Sequence, residues 1–265
     1  MESSVPENHK GLHLVRALFY EFLGTMLVVY SFNFSANNYF VRAITYFTVW
    51  LLAVAISGAH FNPATTLAVY LSEGKYLKQL GRLILYWLFQ LMGAFAGTLF
   101  TYLIFNEPVQ GYLLWPNENI SGGVGSTRYF SQFGNIYYAK ILWLEMWNSF
   151  IFIYVYLLVI YKPGLRTVDE IIKGLGVSLV LYASYAMTAE SGACLNPALG
   201  VAQVSYQVGF LNGVDLNGGR YASPIWVYII FPLIGGMLAA LSFRLHIGLD
   251  NRALKQQEQP VEVNQ

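Results

Sequence analysis

Apolar residues gather into six long runs along the chain, at about 14–34, 40–57, 79–105, 137–161, 171–189 and 222–247. Each is near the roughly 20 residues an α-helix needs to cross a hydrocarbon core of about 30 Å. The first run lies close to the N-terminus, but Glu21 interrupts it and Asn33 stands near its end, which separates it from a signal peptide. Residues 106–136, rich in Asn, Gly and Ser, predict a long connection, and the polar stretch 248–265 predicts a disordered tail. The pattern thus predicts an all-α membrane protein. A short segment 1–13 precedes a first three-span block, 14–105, and a second block follows at 137–247.

Two shorter segments break the monotony. ISGAHFNPATT at 56–66 and ESGACLNPALGVA at 190–202 share Ser-Gly-Ala, two residues, then Asn-Pro-Ala. Asn62 and Asn196 are 134 positions apart, within two residues of half the 265-residue chain. Other pairs follow the duplication: Glu21 with Glu145, and Gly93 and Gly97 with Gly235 and Ala239. Three spans per half force the second half to enter the membrane from the opposite face, so the repeat is inverted. The stretch from Asn62 to about Ser72 spans about 16 Å as helix, half the hydrocarbon core.

Asn62-Pro63-Ala64 and Asn196-Pro197-Ala198 suit helix starts: Asn is a favoured N-cap, and Pro is at home at the first helical position. The Ser-Gly-Ala before each can run extended, with Gly58 and Gly192 inside it and carbonyls left free. Irregular backbone at membrane depth survives only when buried in protein or lining a wet cavity. Two half-helices meeting from opposite faces would therefore enclose a pore. Each N-terminus carries roughly half a positive charge, which repels cations and protons from the meeting point.

Composition agrees with this solvent assignment. Apolar residues make up 56% of the chain, aromatic 17% and charged only 11%, against about 25% charged in a soluble domain. A net charge of +1 gives no basic excess for nucleic acid, and the lone Cys194 cannot form an internal disulfide. Of 15 Lys and Arg, only Arg42, Arg128, Lys140 and Arg220 fall on the outer side if both termini are cytoplasmic, and the positive-inside rule selects that orientation. Asn33-Phe34-Ser35 and Asn119-Ile120-Ser121 match the glycosylation triplet, the second in the more accessible place.

The paired Asn-Pro-Ala boxes, Glu21-Phe22-Leu23-Gly24-Thr25, Gln90-Leu91-Met92-Gly93-Ala94 and Pro232-Leu233-Ile234-Gly235 resemble the aquaporin and aquaglyceroporin family over about residues 14–247. The resemblance implies an hourglass channel, usually a homotetramer with one pore per subunit. It would conduct water or small neutral solutes passively through the plasma membrane or an intracellular vacuolar membrane, with no cofactor or metal. It also implies that Asn62 and Asn196 donate side-chain hydrogen bonds to the permeant file. Glu21 and Glu145 would hold the re-entrant loops by accepting backbone N–H bonds. An ion or proton relay is the other reading of intramembrane carboxylates, and their symmetric placement speaks against it. His60 reads as a loop hydrogen-bonder, since no second His or Cys lies at metal-ligand spacing. Cys194 is either pore-accessible or a buried thiol.

One family feature is missing. An arginine usually follows the second box and projects into the outer constriction; here the position is Leu199. Counting back from the first box puts the second-span filter position at Arg42, which either replaces that arginine or snorkels to the interface. The fifth-span position falls at Ser184, or at Leu181 if the loop before the second box is about three residues longer than usual. Ala193 is the small backbone position of the filter, and Glu190 either pairs with Arg42 or sits on a solvated rim. Leu199 argues for a filter less selective for water, passing glycerol, ammonia or hydrogen peroxide. Leu199 with Leu181 on the axis would instead favour a weakly conducting or non-conducting structural or junctional member of the fold. No nucleophile elbow, phosphate loop or metal cluster supports an enzyme.

Overall fold

A computed structural model describes residues 7–35, 37–105, 114, 135–162, 165, 168–211, 222 and 224–257. Asn119, Arg128, Arg166, Arg220 and most of the 106–136 connection lie outside the described residues. The helices are α1 (Glu7–Phe34), α2 (Tyr39–Ser57), α3 (Pro63–Glu73), α4 (Tyr76–Phe105), α5 (Asn135–Tyr161), α6 (Glu170–Met187), α7 (Pro197–Leu211) and α8 (Ile225–Gln257). Six of them, α1, α2, α4, α5, α6 and α8, are long and apolar enough to cross a membrane. The protein is an all-α integral membrane protein.

Helices overrun the hydrophobic stretches at both ends. The first begins at Glu7, and α8 continues through Gln257, so residues 248–257, predicted to be disordered, are helical. The reason is local: Arg252, Ala253, Leu254, Lys255 and Gln256 are good helix formers, and an established helix extends into water at little cost. Asn33 is fully buried at the end of α1, which removes it as a glycosylation site.

The duplicated glycines explain how the spans pack. A Cβ on Gly93 would lie 2.2 Å from the Phe22 carbonyl oxygen, and one on Gly97 2.6 Å from that of Met26, so α4 crosses α1 backbone to backbone. The second half repeats this, with Gly235 of α8 against the Met146 carbonyl of α5 at 2.4 Å. Without a hydrophobic force between helices in lipid, such close van der Waals approach is what joins them. Large apolar side chains such as Leu103, Trp143 and Leu241 are exposed and cover the lipid-facing perimeter.

The two short helices α3 and α7 dip into the bundle from opposite faces. Asn62 is the N-cap of α3, in extended backbone (φ −158°, ψ 122°), and its side chain accepts from Ala64 N–H at 2.8 Å. Gly74 ends α3 in the left-handed region at φ 69°. Asn196 does the same for α7, accepting from Ala198 N–H at 3.0 Å. We call the membrane face bearing the start of α1 and the end of α8 the terminal face; α3 returns to it and α7 to the far face.

Candidate functional site

The site is where the two half-helices meet. Asn62 Nδ2 donates to the Leu195 carbonyl at 2.8 Å, and Asn196 Nδ2 donates to the Phe61 carbonyl at 2.9 Å. Each carboxamide thus caps its own helix with its oxygen and ties the opposite loop with its nitrogen. A carboxamide NH2 has two hydrogens, so each asparagine retains one N–H beyond the cross-tie.

The loops leading to these asparagines share an unusual backbone. Ala59 and Phe61 in the first, and Ala193 and Leu195 in the second, have φ of 57°, 50°, 57° and 52°. Non-glycine residues held there cost of order 1–3 kcal/mol each and persist only where surroundings over-determine them. The determinants are the two buried glutamates. Glu21 accepts from His60 N–H at 3.0 Å, Phe61 N–H at 2.8 Å and Gln90 Nε2 at 2.8 Å. Glu145 accepts from Cys194 N–H at 3.1 Å, Leu195 N–H at 2.8 Å and the Ser191 hydroxyl. With the loop N–H groups turned onto carboxylates, the remaining carbonyls are free to turn elsewhere. His60 Nδ1 lies 3.1 Å from Thr66 Oγ1, wedged between the rings of Tyr86 and Tyr156. Gly58 and Gly192 open the two loops with φ of 94° and 101°.

Around the asparagines lies a cavity of about 10 Å³, lined by Val28, Tyr46, Phe61, Asn62, Phe152, Leu181, Tyr185, Leu195 and Asn196. That is near the lower limit for holding one water, roughly 10–15 Å³. A larger cavity of about 230 Å³ opens toward the terminal face, bounded by Ser57, Gly58, His60, Glu73, Arg82, Tyr86 and Tyr161 among others.

Filter candidates from the sequence are distributed unequally. Leu181 lines the central cavity and Ser184 does not, although Ser184 is buried. The reason is the short 3-10 turn Ala189–Ser191, which places the extra residues of the second loop after α6 and leaves the register of the helix intact. Tyr185, one turn beyond Leu181, lines the cavity as well. Ala193 packs in the same apolar cluster as Leu181 and Tyr185. Leu199 lies elsewhere: it is fully buried in a separate cluster with Val29, Phe32, Ala94, Cys194 and Tyr228. An apolar side chain gains about 1.5–3 kcal/mol from such burial, so leucine takes the pocket behind α7 instead of facing the passage. Cys194 is enclosed there too, its thiol 3.2 Å from the Asn196 carbonyl.

Arg42 points into the protein, only 2% exposed. Its Nε donates to Ser35 Oγ at 2.9 Å and an Nη to Asn37 Oδ1 at 3.0 Å. The guanidinium lies 4.0 Å above the Phe32 ring and 5.9 Å from the ring of Tyr185. It therefore sits beside the cavity wall on the far-face side, the end from which α2 starts. Glu190 does not reach it and pairs instead with Lys140. Tyr46, Tyr185 and Phe152 line the cavity without having been singled out in the sequence; their only signal was helical spacing on shared faces, such as Leu181 with Tyr185.

Six spans around two re-entrant half-helices tied through Asn-Pro-Ala boxes define a class of inverted-repeat membrane proteins. The profile of the major intrinsic protein family matches residues 7–243, and the chain belongs to that family. Among its relatives is the lens fiber major intrinsic protein of Lithobates pipiens, 27% identical over 241 residues, 86% of this chain and 80% of that protein. Another is the aquaglyceroporin of Toxoplasma gondii, 25% identical over 252 residues, 91% of this chain and 84% of that one. The fold is that of the aquaglyceroporin crystal structure from Plasmodium falciparum, with a TM-score of 0.68 at 19% identity over 90% of this chain and 99% of the other.

Proposed function

We propose that the chain is a passive channel, not an enzyme, for water and small neutral solutes of the glycerol class. The observation that carries this is the mutual tie of Asn62 and Asn196, which fixes two positive helix ends at one point of a narrow passage. Each asparagine keeps an N–H for a solute oxygen, while the helix ends disfavour cations and protons. Family membership and relatives with channel names, including a yeast glycerol uptake/efflux facilitator, support the same reading. In this proposal Arg42 supplies from α2 the positive charge that Leu199 does not, held against Tyr185 at the far-face end. The charge asymmetry of the sequence supports cytoplasmic termini, and family resemblance supports a homotetramer with one pore per subunit.

A second reading is favoured by the small central cavity and by Leu181 lining it: a weakly conducting structural or junctional member of the fold. Stopped-flow swelling of proteoliposomes with water, glycerol and urea separates the two. Wild type should exceed empty liposomes, and Arg42→Ala should raise glycerol and urea passage relative to water. Permeability equal to empty liposomes for every solute leaves the structural reading standing.

A further inference from the structure

The carbonyls of the first loop are not all available to a permeant. Tyr86 Oη donates to the Ser57 carbonyl at 3.0 Å, Tyr156 Oη to the Gly58 carbonyl at 2.7 Å and Tyr46 Oη to the Ala59 carbonyl at 3.0 Å. Three consecutive acceptors are thus taken by three tyrosines from three different spans. Ser57 and Gly58 border the larger cavity, and Tyr46, whose hydroxyl holds Ala59, lines the central one.

The inverted repeat sorts these tyrosines into two kinds. The register that pairs Gly93 with Gly235 also pairs Tyr86 with Tyr228, and Tyr228 Oη donates to the Ser191 carbonyl, the counterpart of Ser57. A contact present in both halves belongs to the shared scaffold. The other two are one-sided. The register that pairs Glu21 with Glu145 puts Phe32 opposite Tyr156, and with the extra loop residues placed after α6, Val177 stands opposite Tyr46. Neither Phe nor Val can donate a hydrogen bond. Among the described residues, the counterpart positions Phe32 and Val177 thus offer no hydroxyl to the second loop.

Their setting is also aromatic and close. Tyr156 packs edge-on to His60 at 5.9 Å and to Trp50 at 5.8 Å between ring centroids, and Tyr46 edge-on to Phe61 at 5.7 Å and Phe152 at 5.9 Å. Both are buried. Tyr46 is thus part of the central cavity's wall, and Tyr156 holds a carbonyl on the border of the larger one. A hydroxyl-to-carbonyl bond is weak enough on balance to exchange, because a permeant hydroxyl or water can replace the tyrosine on the same oxygen.

We propose that Tyr46 and Tyr156 set the permeability of the terminal half of the pathway. Their hydroxyls hold two loop carbonyls, and passage requires each to give way to the permeant. This inference rests on the channel reading and adds to it a second barrier, distinct from the Arg42 end. A purely structural role predicts the opposite response to losing the hydroxyl: lower stability and no gain in flux.

The test compares Tyr46→Phe, Tyr156→Phe and the double variant with wild type and with Tyr182→Phe, a half-exposed tyrosine packed edge-on to Phe40. Phenylalanine keeps the ring, so each chain should remain monodisperse, and the single variants suffice if the double does not fold. Osmotic permeability per incorporated protein should rise several-fold in each single variant, up to roughly tenfold in each, the range a net hydrogen bond allows. The activation energy for water passage should fall as well, while Tyr182→Phe stays at wild type. A conducting wild type with tyrosine variants at or below its level overturns this proposal and leaves the channel reading intact. All proteins at the level of empty liposomes overturn the channel reading, and this one with it.

Discussion

Replacing Glu21 by Gln tests what holds the first loop in its strained form. The Glu21 carboxylate receives His60 N–H on one oxygen, and Phe61 N–H and Gln90 Nε2 on the other, with the Ser57 hydroxyl beside it as a further partner. A glutamine has the same shape but one acceptor oxygen and one NH2. In either rotamer the NH2 faces a loop N–H, donor against donor, at a site with no exposure to water. One charge-assisted bond is lost, about 1.5–3 kcal/mol, and the remaining bonds become neutral. The expected cost is about 2–4 kcal/mol, a large share of a typical 5–15 kcal/mol stability. The left-handed conformations of Ala59 and Phe61 should relax with it. Glu145→Gln should cost a similar amount, because it too sets an NH2 against a loop N–H, with the Ser191 hydroxyl beside it as Ser57 is beside Glu21. Thermal unfolding of the detergent-solubilised protein, followed by size exclusion, compares the two variants with wild type, and stopped-flow swelling reports the loop. Equal melting temperatures for wild type and Glu21→Gln, with unchanged permeability, would refute the view that this carboxylate secures the loop.

Two further outcomes follow from packing. Gly93→Ala should prevent assembly of α1 on α4, since its Cβ would lie 2.2 Å from the Phe22 carbonyl, whereas Gly176→Ala in α6, with nothing within 4 Å, should stabilise by roughly 0.5–1 kcal/mol; expression and melting temperature separate them. Cys194 should resist a water-soluble thiol reagent in the folded protein and react after denaturation, because the side chain is enclosed; rapid labelling of the native channel with loss of permeability would place the thiol on the passage.

Much of the fold was legible from residue order. The six spans follow from hydrophobic length, and the half-helix after the first box, foreseen to about Ser72, runs Pro63–Glu73. These are properties of local backbone chemistry: Asn caps, Pro tolerates the first turn, and apolar length matches a bilayer. The symmetric carboxylates were visible because duplication writes a register into the sequence. Rotation of a side chain about its helix axis is not written in this way. Arg42 could have turned to the interface as readily as inward, and its place over Phe32 depends on Ser35 and Asn37 meeting it from the α1–α2 turn.

The tyrosines were hidden for a related reason. With 20 tyrosines in the chain, sequence alone gives no ground for choosing Tyr46 and Tyr156, and each matters only because its hydroxyl reaches a carbonyl of a distant segment, 13 and 98 residues away. By itself the sequence determined the solvent, the number of spans, the inverted duplication and the two capped half-helices, since each depends on neighbours along the chain. Which side chains face the passage was decided only by tertiary structure. Leu199 packs behind α7, Leu181 and Tyr185 line the cavity, and the first loop carries the Tyr46 and Tyr156 hydroxyls, because competition for a few ångströms of shared space is settled between helices and not within them.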